Sequence, residues 1–106
     1  MKTRFLAALV MLPAALLAQE TRGTISGTVT DAQGSAVPKA NMVATEMTTG
    51  TKAAAVTGES GAYSIPFLAQ GEYQVSADSA GFKQAVRKGI TVDAGGHPVV
   101  DVNFRI

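Results

Sequence analysis

Gly58-Glu59-Ser60-Gly61-Ala62-Tyr63-Ser64-Ile65-Pro66-Phe67-Leu68-Ala69-Gln70-Gly71-Glu72-Tyr73-Gln74-Val75-Ser76-Ala77 is the stretch that decides the fold. Tyr63 and Ile65, then Tyr73, Val75 and Ala77, alternate with other residues, the mark of strands with one buried face. A corner containing Pro and Gly separates the two runs. Leu68, Gly71 and Tyr73 have the spacing in which a leucine plugs the core, a glycine turns the chain and a tyrosine hydroxyl ties the corner to upstream backbone. A buried phenol at such a corner needs an acceptor, because leaving it unpaired carries a desolvation penalty. Tyr63 is the contrast: its ring belongs to the core, and a solvent-facing hydroxyl would make loss of that hydroxyl nearly neutral.

Upstream, Ile25, Gly27 and Val29 fall on one face of a first strand, with Thr24, Ser26, Thr28 and Thr30 on the other. Asp31-Ala32-Gln33-Gly34 has Asp and Gly at the first and fourth positions of a turn, and Val37-Pro38 restarts an extended segment. Ala40, Met42 and Ala44 form an inward set, with Asn41, Val43 and Thr45 outward. Lys52 to Thr57 reads as a short strand despite its three alanines, because a run this short cannot nucleate a helix.

Downstream, Gly81 permits a tight bend and Phe82 drops into the core. Ala85 and Val86 lead to a break at Lys88-Gly89, Ile90 and Val92 form a brief strand, and Asp93 to Gly96 is a loop. Val100, Val102, Phe104 and Ile106 close the chain as its cleanest alternating strand, with Asp101, Asn103 and Arg105 outward. About seven short strands with turn signals every ~8–12 residues predict an all-β, antiparallel Greek-key sandwich of immunoglobulin-like type. Parallel βαβ architecture lacks the crossover helices it requires.

A leader precedes the domain. Met1-Lys2-Thr3-Arg4 is a basic head, and Phe5 to Ala18 is an uncharged apolar run shorter than the roughly 20 residues needed to span a bilayer as a helix. That pattern predicts a signal peptide over residues 1–18, cleaved between Ala18 and Gln19, then a short linker over 19–22 and the domain over 23–106. Because Leu16 is larger than the alanine preferred there, cleavage a residue or two away, or retention as an anchor, is the alternative.

Basic and acidic side chains number 9 and 8, and losing Lys2 and Arg4 leaves the domain near neutral. It therefore lacks the basic stripe that counterion release on nucleic acid requires. Cysteine is absent, which excludes a disulfide framework and a thiolate metal site, and leaves stability to the hydrophobic core.

The segment Gly27 to Gly34 with Val37-Pro38, then Gly61 to Pro66 with Leu68, Gly71, Tyr73 and Val75, then Ala80-Gly81-Phe82, resembles the carboxypeptidase regulatory-like family. The resemblance covers Gly23 to Ile106. It implies a transthyretin-like, seven-stranded sandwich. Members of that family sit beside the catalytic domain of some metallocarboxypeptidases, or at the amino-terminal end of TonB-dependent outer-membrane receptors of Gram-negative bacteria. A signal peptide followed directly by this domain is similar to the second arrangement, which implies a periplasmic, outer-membrane-associated or secreted protein. The chain departs from the family pattern at Phe67, where a small or polar residue is common, and at Ala69-Gln70, where prolines are common.

No catalytic, cofactor or metal site is expected. His97 is the single histidine, with no second histidine or cysteine to build a zinc site. Asp31, Glu59, Asp78, Asp93 and Asp101 mostly lie at turns or outward positions, without a motif that would pair them for acid/base work or form a calcium loop. No serine stands in a nucleophile elbow and no glycine spacing matches a phosphate loop. The expectation is a non-catalytic module whose partner is a protein or a covalently following receptor domain. The alternative is carbohydrate binding, since related starch-binding-like sandwiches bind glycans. Tyr63, Tyr73, Phe82 and Phe104 are claimed by the core, so Phe67 alone remains as a stacking platform.

Overall fold

The computed structural model describes residues 22–105. The expected signal peptide and its Ala18/Gln19 cleavage site lie outside them, as does Ile106. Seven strands follow one another: β1 (Gly23–Thr30), β2 (Asn41–Glu46), β3 (Lys52–Val56), β4 (Ala62–Leu68), β5 (Gly71–Asp78), β6 (Ala85–Val92) and β7 (Val102–Asn103). They form a three-stranded sheet ordered β4-β1-β7 and a four-stranded sheet ordered β3-β2-β5-β6.

Period-two alternation drives both sheets to one core. Ile25 and Val29 of β1, Met42 and Ala44 of β2, Tyr63 and Ile65 of β4, and Tyr73, Val75 and Ala77 of β5 are all buried. Fully burying an aliphatic or aromatic side chain contributes about 1.5–3 kcal/mol, so these inward sets carry the stability of a chain with no cross-link. Phe82 is half-buried and stacks on the fully buried Phe104, ring centroids 4.9 Å apart.

Three ladders depart from simple alternation. Between β1 and β4 the register passes from Gly23↔Leu68 to Ile25↔Ile65, so Pro66 and Phe67 together face Thr24. This is a β-bulge, and its extra residue reverses the inward-outward parity. Leu68 is thereby buried and Phe67 turned outward, 76% exposed. Between β5 and β6 the register passes from Tyr73↔Ile90 to Val75↔Arg87. The expected break at Lys88-Gly89 is therefore a bulge inside one continuous strand, with Gly89 at φ 74°, which glycine adopts without steric cost.

The third departure is a correction to the expected last strand. β7 is only two residues long, and it runs parallel to β1, Val29 opposite Val102. Its inward-outward pattern is nonetheless the expected one, with Val100, Val102 and Phe104 buried and Asp101, Asn103 and Arg105 exposed. The ladder is interrupted at Gly27, where a Cβ would lie 2.0 Å from the Val100 carbonyl oxygen. The Val100 peptide occupies the room a side chain would need, so the Thr28 N–H finds its acceptor in the Asp101 side chain instead, at 2.9 Å.

Candidate functional site

The chain crosses from one sheet to the other between β4 and β5, and this corner walls a groove of about 630 Å³. Its other wall is the β2–β3 hairpin with the start of β3. Arg22, Glu46, Lys52, Phe67, Gln70 and Tyr73 are among its lining residues.

Leu68 and Tyr73 form the inner side of the corner, and both are buried. The Tyr73 hydroxyl donates to the Ala69 carbonyl at 2.7 Å, closing the loop four residues upstream. Burial pushes the Tyr73 phenol up, the negative charge of Glu46 adds to that, and Arg22 opposes it. Gly71 packs on Glu46: a Cβ there would meet the Glu46 Oε2 at 2.6 Å.

Glu46 continues the inward set of Met42 and Ala44, and only 7% of its surface is exposed. Its Oε1 accepts from the Thr49 N–H and the Thr49 hydroxyl, each at 2.8 Å. Those bonds, the hydroxyl first, hold its carboxyl below the usual range despite the burial that opposes them. The carboxylate thus ties the β2–β3 turn and lies on the floor of the groove as an anion.

Phe67 stands at the mouth. Its φ of 62° is a conformation that a bulky residue adopts at a cost of about 1–2 kcal/mol. Arg22 braces it, donating from Nη1 to the Phe67 carbonyl at 2.9 Å. The conformation belongs to the bulge that buries Leu68, and it leaves the Phe67 ring in solvent beside the groove.

Among the described residues no group of three or more His, Cys, Asp or Glu side chains is placed to hold a metal ion, and His97 lies on an exposed loop. No helix among them is long and apolar enough to cross a membrane. Tyr63 corrects the contrast drawn from the sequence: its hydroxyl is buried and donates to the Val100 carbonyl at 2.6 Å. Sequence reasoning singled out Phe67 but missed Glu46, whose place in the Met42-Ala44 period was the available signal. Arg22 and Lys52 carried none.

Two packed sheets with a groove at one end, bounded by a single exposed ring, define the chain as an all-β sandwich module. It belongs to the carboxypeptidase regulatory-like domain family, which matches residues 24–105. No curated protein sequence matches it significantly. Among solved structures it is similar to the Bacillus anthracis TIE protein, with a TM-score of 0.66 and 19% identity over 80% of this chain and 16% of that one. It is also similar to a protein provisionally described as carbohydrate-binding, from Bacteroides uniformis, with a TM-score of 0.61 and 20% identity over 77% of this chain and 40% of that one. Chlorocatechol 1,2-dioxygenase from Pseudomonas putida gives a TM-score of 0.60 and 14% identity over 81% of this chain and 60% of that one. The chain thus spans less than two thirds of each neighbour, and at these identities the likeness is one of fold.

Proposed function

We propose that this domain is a non-catalytic, exported interaction module that engages a protein partner through the groove at the β4–β5 corner. The observation that carries this reading is Phe67, bare to solvent and held in a strained backbone conformation at the groove mouth. A second support is chemical: the groove acid, Glu46, is ionised and bonded to Thr49, so it is not held protonated as a general acid. The leader and the family resemblance favour a setting at the outer membrane of a Gram-negative bacterium, with the domain standing at the front of a TonB-dependent receptor.

Carbohydrate binding is the second reading, favoured by the same ring above a groove lined with Thr48, Thr49, Thr51 and Gln70. One experiment separates the two. The full chain, as its host processes it, is screened on a glycan array and in parallel used for crosslinking to envelope proteins. The interaction reading expects a specific crosslinked protein lost with Phe67→Ala and an empty array. A specific glycan hit abolished by Phe67→Ala transfers the function to sugar binding. Mass spectrometry of the same material reads the export step, which expects a product beginning at or within a few residues of Gln19.

A further inference from the structure

Open β-sheet edges invite pairing with other chains, and proteins guard them with prolines, bulges, charges or very short strands. Three of the four edges of this sandwich carry such devices. β4 has Pro66 and the Phe67 bulge. β6 has the Gly89 bulge and the exposed charges of Arg87 and Lys88. β7 is two residues long.

β3 is different. It pairs with β2 in unbroken register over its whole length, from Asn41↔Val56 to Thr45↔Lys52. At its two ends the Glu46 N–H donates to the Thr51 carbonyl and the Thr57 N–H to the Ala40 carbonyl. Antiparallel ladders alternate bonded and non-bonded pairs, so residues 53 and 55 also turn their backbone groups toward β2. Lys52, Ala54 and Val56 therefore direct N–H and C=O outward, and none of these meets a backbone partner among the described residues. Their side chains are no obstacle: Ala54 is a methyl group and Val56 is 58% exposed. The only guard is Lys52, at the first residue, where the edge runs into the groove.

We infer that β3 accepts an extended segment of a partner protein as an added strand, with an acidic side chain of that segment seated at the groove mouth against Lys52 and Arg22. This rests on the interaction-module reading above and specifies its mode. Main-chain bonds to Lys52, Ala54 and Val56 supply affinity, and the side chain that reaches the groove supplies selectivity. The charge argument follows from position. Glu46 lies buried on the floor, bonded to Thr49, whereas Lys52 and Arg22 are exposed at the rim, so an arriving side chain meets cations first. Phe67, braced by Arg22, offers its face to the neighbouring side chain of the added strand.

The test begins with phage-displayed linear peptides selected on the full chain as its host processes it, followed by anisotropy titration of the enriched peptides. Enriched sequences are expected to alternate apolar residues and to share one Asp or Glu. Ala54→Pro removes an N–H that β2 does not use and is expected to weaken binding by about tenfold or more. Lys52→Glu is expected to abolish the acidic preference and to enrich Lys or Arg at that place. Should Ala54→Pro fail to fold, peptides N-methylated one residue at a time give the same readout on the unaltered protein, with loss of binding at every second position. Peptides whose binding ignores both Ala54→Pro and the methylation pattern overturn strand addition while leaving a protein partner in place. No enriched peptide, with glycan-array hits that depend on Phe67, overturns both readings. Self-association in sedimentation that Ala54→Pro abolishes assigns the edge to a second copy and overturns the partner segment.

Discussion

The Tyr63 hydroxyl donates a 2.6 Å hydrogen bond to the carbonyl oxygen of Val100, thirty-seven residues away. Gly27 makes this contact geometrically available. It is Tyr63's cross-strand partner in β1, and the space its missing side chain leaves is filled by the Val100 carbonyl. The Val100 N–H in turn donates to the Ser26 carbonyl at 2.7 Å, so both backbone polar groups of Val100 are paired. Tyr63→Phe keeps the ring and leaves that carbonyl without its donor, and it should destabilise the fold by about 1–2 kcal/mol in urea melts.

The same hydroxyl predicts an alkaline limit. Burial, and then the charge of Asp101, push the Tyr63 phenol up to about 12 from its ordinary 10. A group whose pKa is raised by folding contributes stability that is complete below its unfolded value and is lost as pH rises through the folded one. Stability should therefore fall between about pH 10 and 12, and Tyr63→Phe should flatten that limb. A wild-type protein with pH-independent melts across this window would refute the burial of the phenol.

At the corner, Tyr73→Phe removes the bond to Ala69 and should cost about 1–2 kcal/mol, whereas Leu68→Ala opens a cavity and should cost about 2–5. Chemical denaturation of the two variants checks the order. A Tyr73→Phe protein as stable as wild type would mean that packing and glycine geometry alone hold the corner.

Phe67 should behave in the opposite sense to a core residue. Its ring is mostly in solvent, so replacement loses little burial and relieves a left-handed backbone worth about 1–2 kcal/mol. Phe67→Asn, which tolerates that conformation, should match or exceed wild type in thermal stability, while β-branched Phe67→Val should fall below it. A marked loss in the Asn variant would show that the ring supports the fold.

Glu46 sets an acid limit. Its carboxyl is held low by the Thr49 hydroxyl and N–H, so its contribution is present above the unfolded carboxylate value and is lost as pH falls through the folded one. Melts below about pH 4.5 should steepen for wild type and lose that component in Glu46→Gln, with Thr49→Ala giving the same change through the partner.

Much of this molecule is local pattern, and local pattern is what a sequence displays. The alternation of Met42 and Ala44, of Tyr73, Val75 and Ala77, and of Val100, Val102 and Phe104 identifies each inward face, because side chains on neighbouring strand residues must point to opposite sides. The spacing of Leu68, Gly71 and Tyr73 marks the corner, as plug, turn and tether. Phe67 was reachable by elimination, as the ring no strand claimed. Tertiary structure alone decided how these pieces meet. Whether β7 lies parallel or antiparallel to β1 depends on closure over most of the chain, and the gap above Gly27 becomes visible only when Val100 fills it. The bulge at Pro66 and Phe67 reverses parity because β1 imposes its register there, and this turns Phe67 outward and Leu68 in. Glu46 and Lys52 flank one hairpin, but Arg22 precedes β1 in the other sheet, so the three charges of the groove come together only through the packing of one sheet upon the other.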